Sequence, residues 1–177
     1  MKNIECEERV MLTFEQYTKL LADYVIKDPT FTFLEIENTY LDDNNLSLIN
    51  NHKMLRIRKY RNVTELTLKI KNKDGDIEIT ESLDKHPEID KALDNKFGQY
   101  FPITTLKTNR VEIKIDNYLV VIDQNIYNGV IDYDLEIEAP NMEIAREKIN
   151  EICDKYQIEY KKDYLPKSSR AIKSRKY

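Results

Sequence analysis

Glycine and proline are scarce, at 3 and 5 in 177 residues. A long flexible linker is therefore not expected, and the chain reads as a single domain over 1–177 with enough residues to bury a core. No apolar run approaches the roughly 20 residues a membrane helix needs. The opening "MKNIECEERV" lacks the apolar stretch of a secretory signal. Histidine is limited to His52 and His86, both in expected turns, which argues against a zinc site or a histidine nucleophile. The two cysteines, Cys6 and Cys153, form no metal-spacing motif. They read as free thiols of a reducing compartment, so the expected location is the cytoplasm. A basic excess is missing too: 28 Lys and Arg stand against 32 Asp and Glu, a net charge of -4. That balance argues against wrapping a nucleic-acid backbone, and it is compatible with a small local basic cavity.

What is present is alternation. Eight runs read as strands, beginning with "NIECEERV" and "FTFLEIENTYLD". Three more come from the meander over residues 53–83, and the last three are "TTLKTNRVEIKI", "YLVVIDQNIY" and "VIDYDLEIEA". Turns are expected at Asp42 to Asn45, Arg61-Asn62, Asp74-Gly75, Asp116-Asn117 and Asn128-Gly129. Three helices are expected between the strands. Thr13 with Gln16 forms a capping box ahead of Phe14, Tyr17, Leu20, Leu21 and Tyr24. "PEIDKALDNKFG" has Pro87 near its start and Gly98 at its end, and "NMEIAREKINEICDKYQI" carries Ile144, Ile149 and Ile152 on one stripe. Mostly hairpin-ordered strands of this number form a sandwich or a barrel, and an eight-stranded barrel has room for side chains or one small ligand.

Strand side chains alternate between faces, and each run pairs one aliphatic face with one ionic face. Glu5, Glu7 and Arg9 share a face of the first run. Arg56 and Arg58 oppose Leu55 and Ile57, Lys69 opposes Leu66 and Leu68, and Glu78 opposes Ile77 and Ile79. Arg110, Glu112 and Lys114 oppose Val111, Ile113 and Ile115, while Glu136 and Glu138 oppose Leu135 and Ile137; Asp123 lies on the face of Val121. A half-solvated antiparallel sheet accounts for any one of these runs. Their clustering by sign points further. Paired arginines suit the bidentate binding of phosphate oxygens. Two Glu-x-Glu pairs offer oxygens to a hard cation such as Mg²⁺ or Mn²⁺. If the sheet curls closed, the ionic face becomes the lining of a cavity suited to a polyphosphate.

In this order the motifs resemble the CYTH superfamily, the triphosphate tunnel metalloenzymes. The residues that carry the resemblance are Glu5-Cys6-Glu7-Glu8-Arg9, Tyr40-Leu41-Asp42, Leu55 to Arg58, Leu66 to Lys69, Thr108 to Arg110, Asp123, Glu136 with Glu138, and Lys167 to Arg170. The resemblance implies an α+β fold: an eight-stranded antiparallel β-barrel, a tunnel, with helices packed outside. It implies divalent-metal-dependent hydrolysis of a triphosphate, with Mg²⁺ or Mn²⁺ as cofactor and inorganic tripolyphosphate as the expected substrate. Carried over by position, Arg9, Arg56, Arg58, Lys69, Arg110, Lys167 and Arg170 hold phosphate oxygens. Glu5, Glu7, Asp123, Glu136 and Glu138 hold metal. The catalytic set becomes Glu5, Glu7, Arg9, Lys69, Glu136 and Glu138, and Glu78, Glu112 and Lys114 lie in the tunnel.

Arg9 replaces the usual Lys of the first motif, exchanging a point charge for a planar fork. Asp43 stands where a Thr is usual. Three alternatives resemble or share the tunnel. A class-IV adenylate cyclase often carries a His-Phe element upstream of the first motif, and Met1 lies just before Glu5 here. A thiamine triphosphatase holds an aromatic ring, and this chain has no Trp but 12 Tyr. A polyphosphate-binding protein without turnover is the non-enzymatic alternative. The expected partner is a small polyphosphate, with no nucleic acid and no membrane, on a monomer or homodimer.

Overall fold

The aliphatic faces of the strands need cover, and two helices supply most of it. The computed structural model describes residues 2–27, 30–73, 75–88, 91–161 and 165–175, with the side chains of 2–5 and 27 outside the description. The chain runs β1 (Lys2–Leu12), α1 (Phe14–Lys27), β2 (Thr32–Asp42), α2 (Ser47–Asn50), β3 (Lys53–Tyr60), β4 (Val63–Ile70) and β5 (Asp76–Ser82). It continues through β6 (Leu93–Asn95), β7 (Gly98–Ile115), β8 (Tyr118–Tyr127), β9 (Val130–Ala139), α3 (Met142–Tyr156) and α4 (Lys167–Lys173). Hydrogen-bonded neighbours follow the order β2-β3-β4-β5-β1-β9-β8-β7, and β2 also pairs with β7, so eight strands close into a ring. Every pairing is antiparallel. Closure removes the sheet edges and turns one face into a bore.

The aliphatic side faces outward. Val10, Leu12, Val111, Ile113, Val120, Ile122, Leu135 and Ile137 pack beneath Leu20 of α1 and Ala145, Ile149, Ile152 and Cys153 of α3. On the other flank Leu41, Leu55, Ile57, Leu66 and Leu68 are covered by Leu48 of α2 and by Leu93, Phe97 and Tyr100. Each buried Leu, Ile or Val contributes about 1.5–3 kcal/mol. The burial therefore decides the register: slipping any strand by one residue would place charges under the helices and aliphatics in the bore.

Turn chemistry agrees. Arg61, Asp116 and Asn128 have positive φ of 49°, 50° and 47°, and Gly129 follows Asn128 at 80°, the conformation a two-residue hairpin requires. The Asp74-Gly75 turn lies partly outside the described residues. Thr13 and Gln16 cap α1 reciprocally, Thr13 N donating to Gln16 Oε1 at 2.9 Å and Gln16 N to Thr13 Oγ1 at 3.2 Å. Replacing Thr13 with Ala should cost about 1 kcal/mol and lower the melting temperature by about 2–4 °C in a thermal melt.

Three expectations change here. "PEIDKALDNKFG" is not a helix among its described residues; Leu93–Asn95 is a strand paired with β7, and residues 89–90 lie outside the description. Leu93 and Phe97 pack their side chains on the aliphatic flank. β7 begins at Gly98 rather than Thr104, and this longer strand gives β6 an edge to pair with. Pro102 is tolerated inside it beside an irregularity between Tyr40 and Leu41. The expected Asp42 to Asn45 turn leads directly into α2. The fully buried Asp42 accepts from the amides of Asp43 (2.8 Å), Leu48 (2.9 Å) and Ile49 (3.1 Å). Its role is to anchor that turn. The basic tail forms α4, which sits against β7, the β8–β9 turn and β9.

Candidate active site

The ionic faces of β1, β3, β4, β5, β7 and β9 line a cavity of about 500 Å³ that runs through the bore, and β2 adds Ile36, Asn38 and Tyr40. That volume is within the roughly 300–1,000 Å³ of small-molecule sites. Within the ring, β3 lies four strands from β9, and β4 four strands from β8. Strands so placed face each other across the bore. Arg56 and Arg58 of β3 and Lys69 of β4 therefore form a basic wall opposite Asp123 of β8 and Asp134, Glu136 and Glu138 of β9.

The acidic wall is dense and dry. Asp123 and Asp134 are 0% exposed and Glu136 is 3% exposed. Arg110 Nε and Nη2 donate to the two oxygens of Asp123 at 3.0 and 2.9 Å, and Nη2 also reaches Glu136 Oε2 at 3.0 Å. Lys167, at the start of α4, meets Asp123, Asp134 (3.2 Å) and Glu136 (3.3 Å). Arg9 bridges Glu7 and Glu136, the latter at 3.3 Å. On the basic wall, Lys69 lies 3.2 Å from Glu7, 3.5 Å from Asp76 and 3.7 Å from Glu78. Arg58 Nε donates to Asn38 Oδ1 at 3.2 Å. Arg56 is 8% exposed, its Nη2 is 3.4 Å from Glu78, and its buried Nε has no hydrogen-bond acceptor among the described residues. A buried charged donor left open in this way is costly without a ligand to accept from it.

Charge neighbours set the protonation states. Burial pushes the Glu7 carboxyl up, and Arg9 and Lys69 more than reverse this, leaving it at about 2 against an ordinary 4.5. Burial likewise opposes ionisation of Glu136, yet Lys167, Arg9 and Arg110 hold it well below the usual carboxylate range. Burial raises Asp134, and Glu136 and Asp123 add to that against the pull of Lys167. Arg110 and Lys167 resist burial and stay cationic beside their carboxylates. A group whose folded pKa is depressed stabilises the fold above its unfolded pKa and loses that contribution as pH falls through the folded value. The stability gap between wild type and Glu7→Gln should be about 3 kcal/mol at neutral pH and shrink between about pH 4.5 and 2. Urea melts of both proteins across that range check this.

Of the residues expected in the site, Glu7, Arg9, Arg56, Arg58, Lys69, Glu78, Arg110, Glu136, Glu138 and Lys167 all line the cavity. Asp123 lies just behind its wall, in contact with Arg110 and Lys167. Glu112 sits 3.6 Å from Arg110 at a more exposed level. Lys114, on the same face further along, is exposed and is not among the lining residues. The Glu5 backbone, in β1, pairs with Asp76 of β5, and the Glu5 side chain lies outside the described residues. Arg170 clamps Asp132 through Nε at 2.8 Å and Nη2 at 3.1 Å and reaches Asp134 at 2.5 Å. It also reaches the Leu165 carbonyl at 2.9 Å. Asp132 and Asp134 were not singled out from the sequence. The signal was present, since Asp132, Asp134, Glu136 and Glu138 continue one face of "VIDYDLEIEA" at a period of two. Lys53, Lys71 and Lys73 at one mouth were also missed.

The acids form two groups, each with one oxygen per residue within 4.8 Å of the others: Glu7–Glu136–Glu138 and Asp123–Asp134–Glu136. An all-oxygen donor set of this kind suits a hard divalent cation such as Mg²⁺ or Mn²⁺ over a softer metal. The Glu7–Glu136–Glu138 group lines the open cavity and fits such an ion best.

Among known proteins, the Bacillus subtilis (strain 168) protein named "Putative triphosphatase YjbK" is 26% identical over 172 residues, 89% of this chain and 88% of that one. In fold, the chain matches the Bacillus halodurans protein named "putative adenylate cyclase" with a TM-score of 0.82, covering 96% of this chain and 97% of that one at 24% identity. It matches a Hippeastrum protein named "putative adenylyl cyclase", described as having a dominant triphosphatase activity, with a TM-score of 0.73. That match has 18% identity and covers 97% of this chain and 96% of that one. Both structures share the closed antiparallel ring with helices outside, the architecture expected from the motif order. The CYTH domain description matches residues 3–168, nearly the whole chain, and with the ring and its motifs in place the protein belongs to the CYTH domain family.

Proposed function

We propose that the protein hydrolyses a triphosphate, inorganic tripolyphosphate first among them, with a divalent ion held in the bore. One observation carries the reading: a basic wall of Arg56, Arg58 and Lys69 faces a buried acidic wall across an enclosed cavity. Neither wall alone requires a ligand. Together they fit a condensed-phosphate anion and a dication, each balancing the wall opposite to it. The similarity to the Bacillus subtilis protein named as a triphosphatase supports the same chemistry.

Arg56, Arg58 and Lys69 bind phosphate oxygens, the buried Arg56 Nε gaining the acceptor it lacks. Glu7, Glu136 and Glu138 would hold Mg²⁺ or Mn²⁺, which when bound lowers the pKa of a water and draws charge from the phosphates. Arg9 and Arg110 keep Glu136 ionised and oriented between the two acid groups. Water attacks the terminal phosphorus in line, its P–O bond to the diphosphate breaks, and orthophosphate and diphosphate leave. The walls supply position and charge in a site shielded from bulk water, where such interactions count most.

Phosphate release from tripolyphosphate, ATP and thiamine triphosphate, each with Mg²⁺, Mn²⁺ or EDTA, tests the reading. Metal-dependent release that is fastest from tripolyphosphate is the expected result. Cyclic AMP made from ATP in place of phosphate release would assign a cyclase instead. Tight tripolyphosphate binding without turnover under any metal would assign a binding protein.

A further inference from the structure

We infer that the condensed phosphate enters the bore at the end rimmed by Lys53, Lys71 and Lys73, and that these lysines form a capture site that gathers the anion before it reaches Arg56, Arg58 and Lys69. The inference rests on the triphosphate reading above and adds a direction of entry to it.

Two loops build the rim. Lys53 opens β3 and pairs with Ile70, the last residue of β4. Lys71 follows directly, and its amide donates to the His52 carbonyl at 3.0 Å. All three lysines are exposed and border the same cavity as Lys69. Their ion pairing differs from that of the bore. Lys69 has Glu7, Asp76 and Glu78 at 3.2, 3.5 and 3.7 Å, whereas among the described residues Lys53, Lys71 and Lys73 have no acid within ion-pair distance. Charge in the bore meets acid partners before any anion arrives, and the rim keeps an excess. A hydrated ammonium on a flexible stem suits attraction at a distance better than a fixed contact.

The opposite end is mixed in sign. β3 runs from Lys53 to Tyr60, Tyr60 pairs with Ile36, and β2 continues in that direction to Thr32, the partner of Glu112. Glu112 therefore lies at the far end of the ring from Lys53. Val121 of β8 pairs with Glu112, and Leu119, two residues further out, pairs with both Lys114 and Glu138. Acid and base thus stand together there, with Glu112 and Glu138 each 3.6 Å from Arg110. The whole chain carries a net charge of -4, so a polyanion is repelled unless one part of the surface attracts it. A local field of one sign raises association by roughly 10- to 1,000-fold and fades as salt shortens its reach, from about 30 Å at 0.01 M to about 8 Å at 0.15 M.

Calorimetry of tripolyphosphate binding to the full chain in EDTA, at ionic strengths of about 10 and about 300 mM, tests this without turnover. Combining Lys53→Met, Lys71→Met and Lys73→Met should weaken binding about tenfold at the low value and by no more than about twofold at the high one. With Mg²⁺ the same ratios should appear in kcat/KM for phosphate release, while kcat stays within about twofold. Combining Lys19→Met, Lys107→Met and Lys155→Met removes equal charge from exposed positions outside the cavity lining and should leave binding within about twofold. Lys71→Glu alone should weaken binding at least about fivefold at low ionic strength, which decides the matter if the triple variant fails to fold. Folded rim variants that match wild type at low ionic strength, an equal loss at both ionic strengths, or an equal loss from the distant lysines would each overturn the inference alone. Tripolyphosphate bound with these ratios but never hydrolysed would overturn the triphosphatase reading and leave the capture site. Neither binding nor phosphate release by folded wild type would overturn both.

Discussion

Glu136→Gln should lower kcat/KM for tripolyphosphate by roughly a thousandfold or more, the scale of losing a preorganised charge at a reacting centre. Glu136 is the residue common to both acid groups. Three cations converge on it, Arg9 at 3.3 Å, Arg110 at 3.0 Å and Lys167 at 3.3 Å. Glutamine keeps the shape and removes the charge, so a divalent ion held there would lose a carboxylate ligand and the cations lose their shared counter-ion. Leaving buried charge uncompensated costs about 3–5 kcal/mol, so the melting temperature should also drop by roughly 10 °C. Steady-state phosphate release measured well below that temperature separates the two effects. A variant within tenfold of wild type would show that Glu136 is only a structural counter-ion.

Arg56→Met should do the reverse: little harm to folding and a large loss of substrate affinity. Among the described residues the buried Arg56 Nε has no acceptor, and the ion pair of Arg56 with Glu78 is long at 3.4 Å. Lys69 remains within 3.7 Å of Glu78 when Arg56 is removed. Methionine fills much of the same volume without the unpaired donor. Stability should therefore change by less than about 1 kcal/mol. A charge-assisted bond to phosphate contributes about 1.5–3 kcal/mol, so KM for tripolyphosphate should rise by about 10- to 100-fold with a smaller change in kcat. An unchanged KM with a large drop in melting temperature would move Arg56 from substrate binding to structure.

The contrast between these two variants depends on which way each strand faces, and that much was legible in the chain. Period two in "LRIR", "LTLK" and "LEIEA" separated the bore from the outer face because the aliphatic partners need cover and the charges do not. Closure was not legible from alternation, since an open sheet and a closed ring share one period. It rests on the pairing of β2 with β7, residues far apart in sequence. Distance along the strand was hidden as well: Glu112 and Lys114 share the face of Arg110, yet Lys114 has passed the mouth into solvent. The Pro87 to Gly98 stretch misled because a proline near the start and a glycine at the end also bracket non-helical segments, while a strand extended back to Gly98 offered hydrogen bonds that such local signals do not reveal. Arg170 could be placed near the tunnel mouth from motif order, but its fork onto Asp132 required the fold to bring residues 38 positions apart together.

Acidic and basic walls facing each other around a dication and a condensed phosphate form the central claim, and ³¹P nuclear magnetic resonance of tripolyphosphate mixed with the full chain and Mg²⁺ tests it most directly. The middle and terminal phosphorus signals should decay together while one orthophosphate and one diphosphate appear per molecule consumed, and EDTA should stop the change. Tripolyphosphate signals that stay unchanged with Mg²⁺ and with Mn²⁺, on protein shown to be folded, would contradict it.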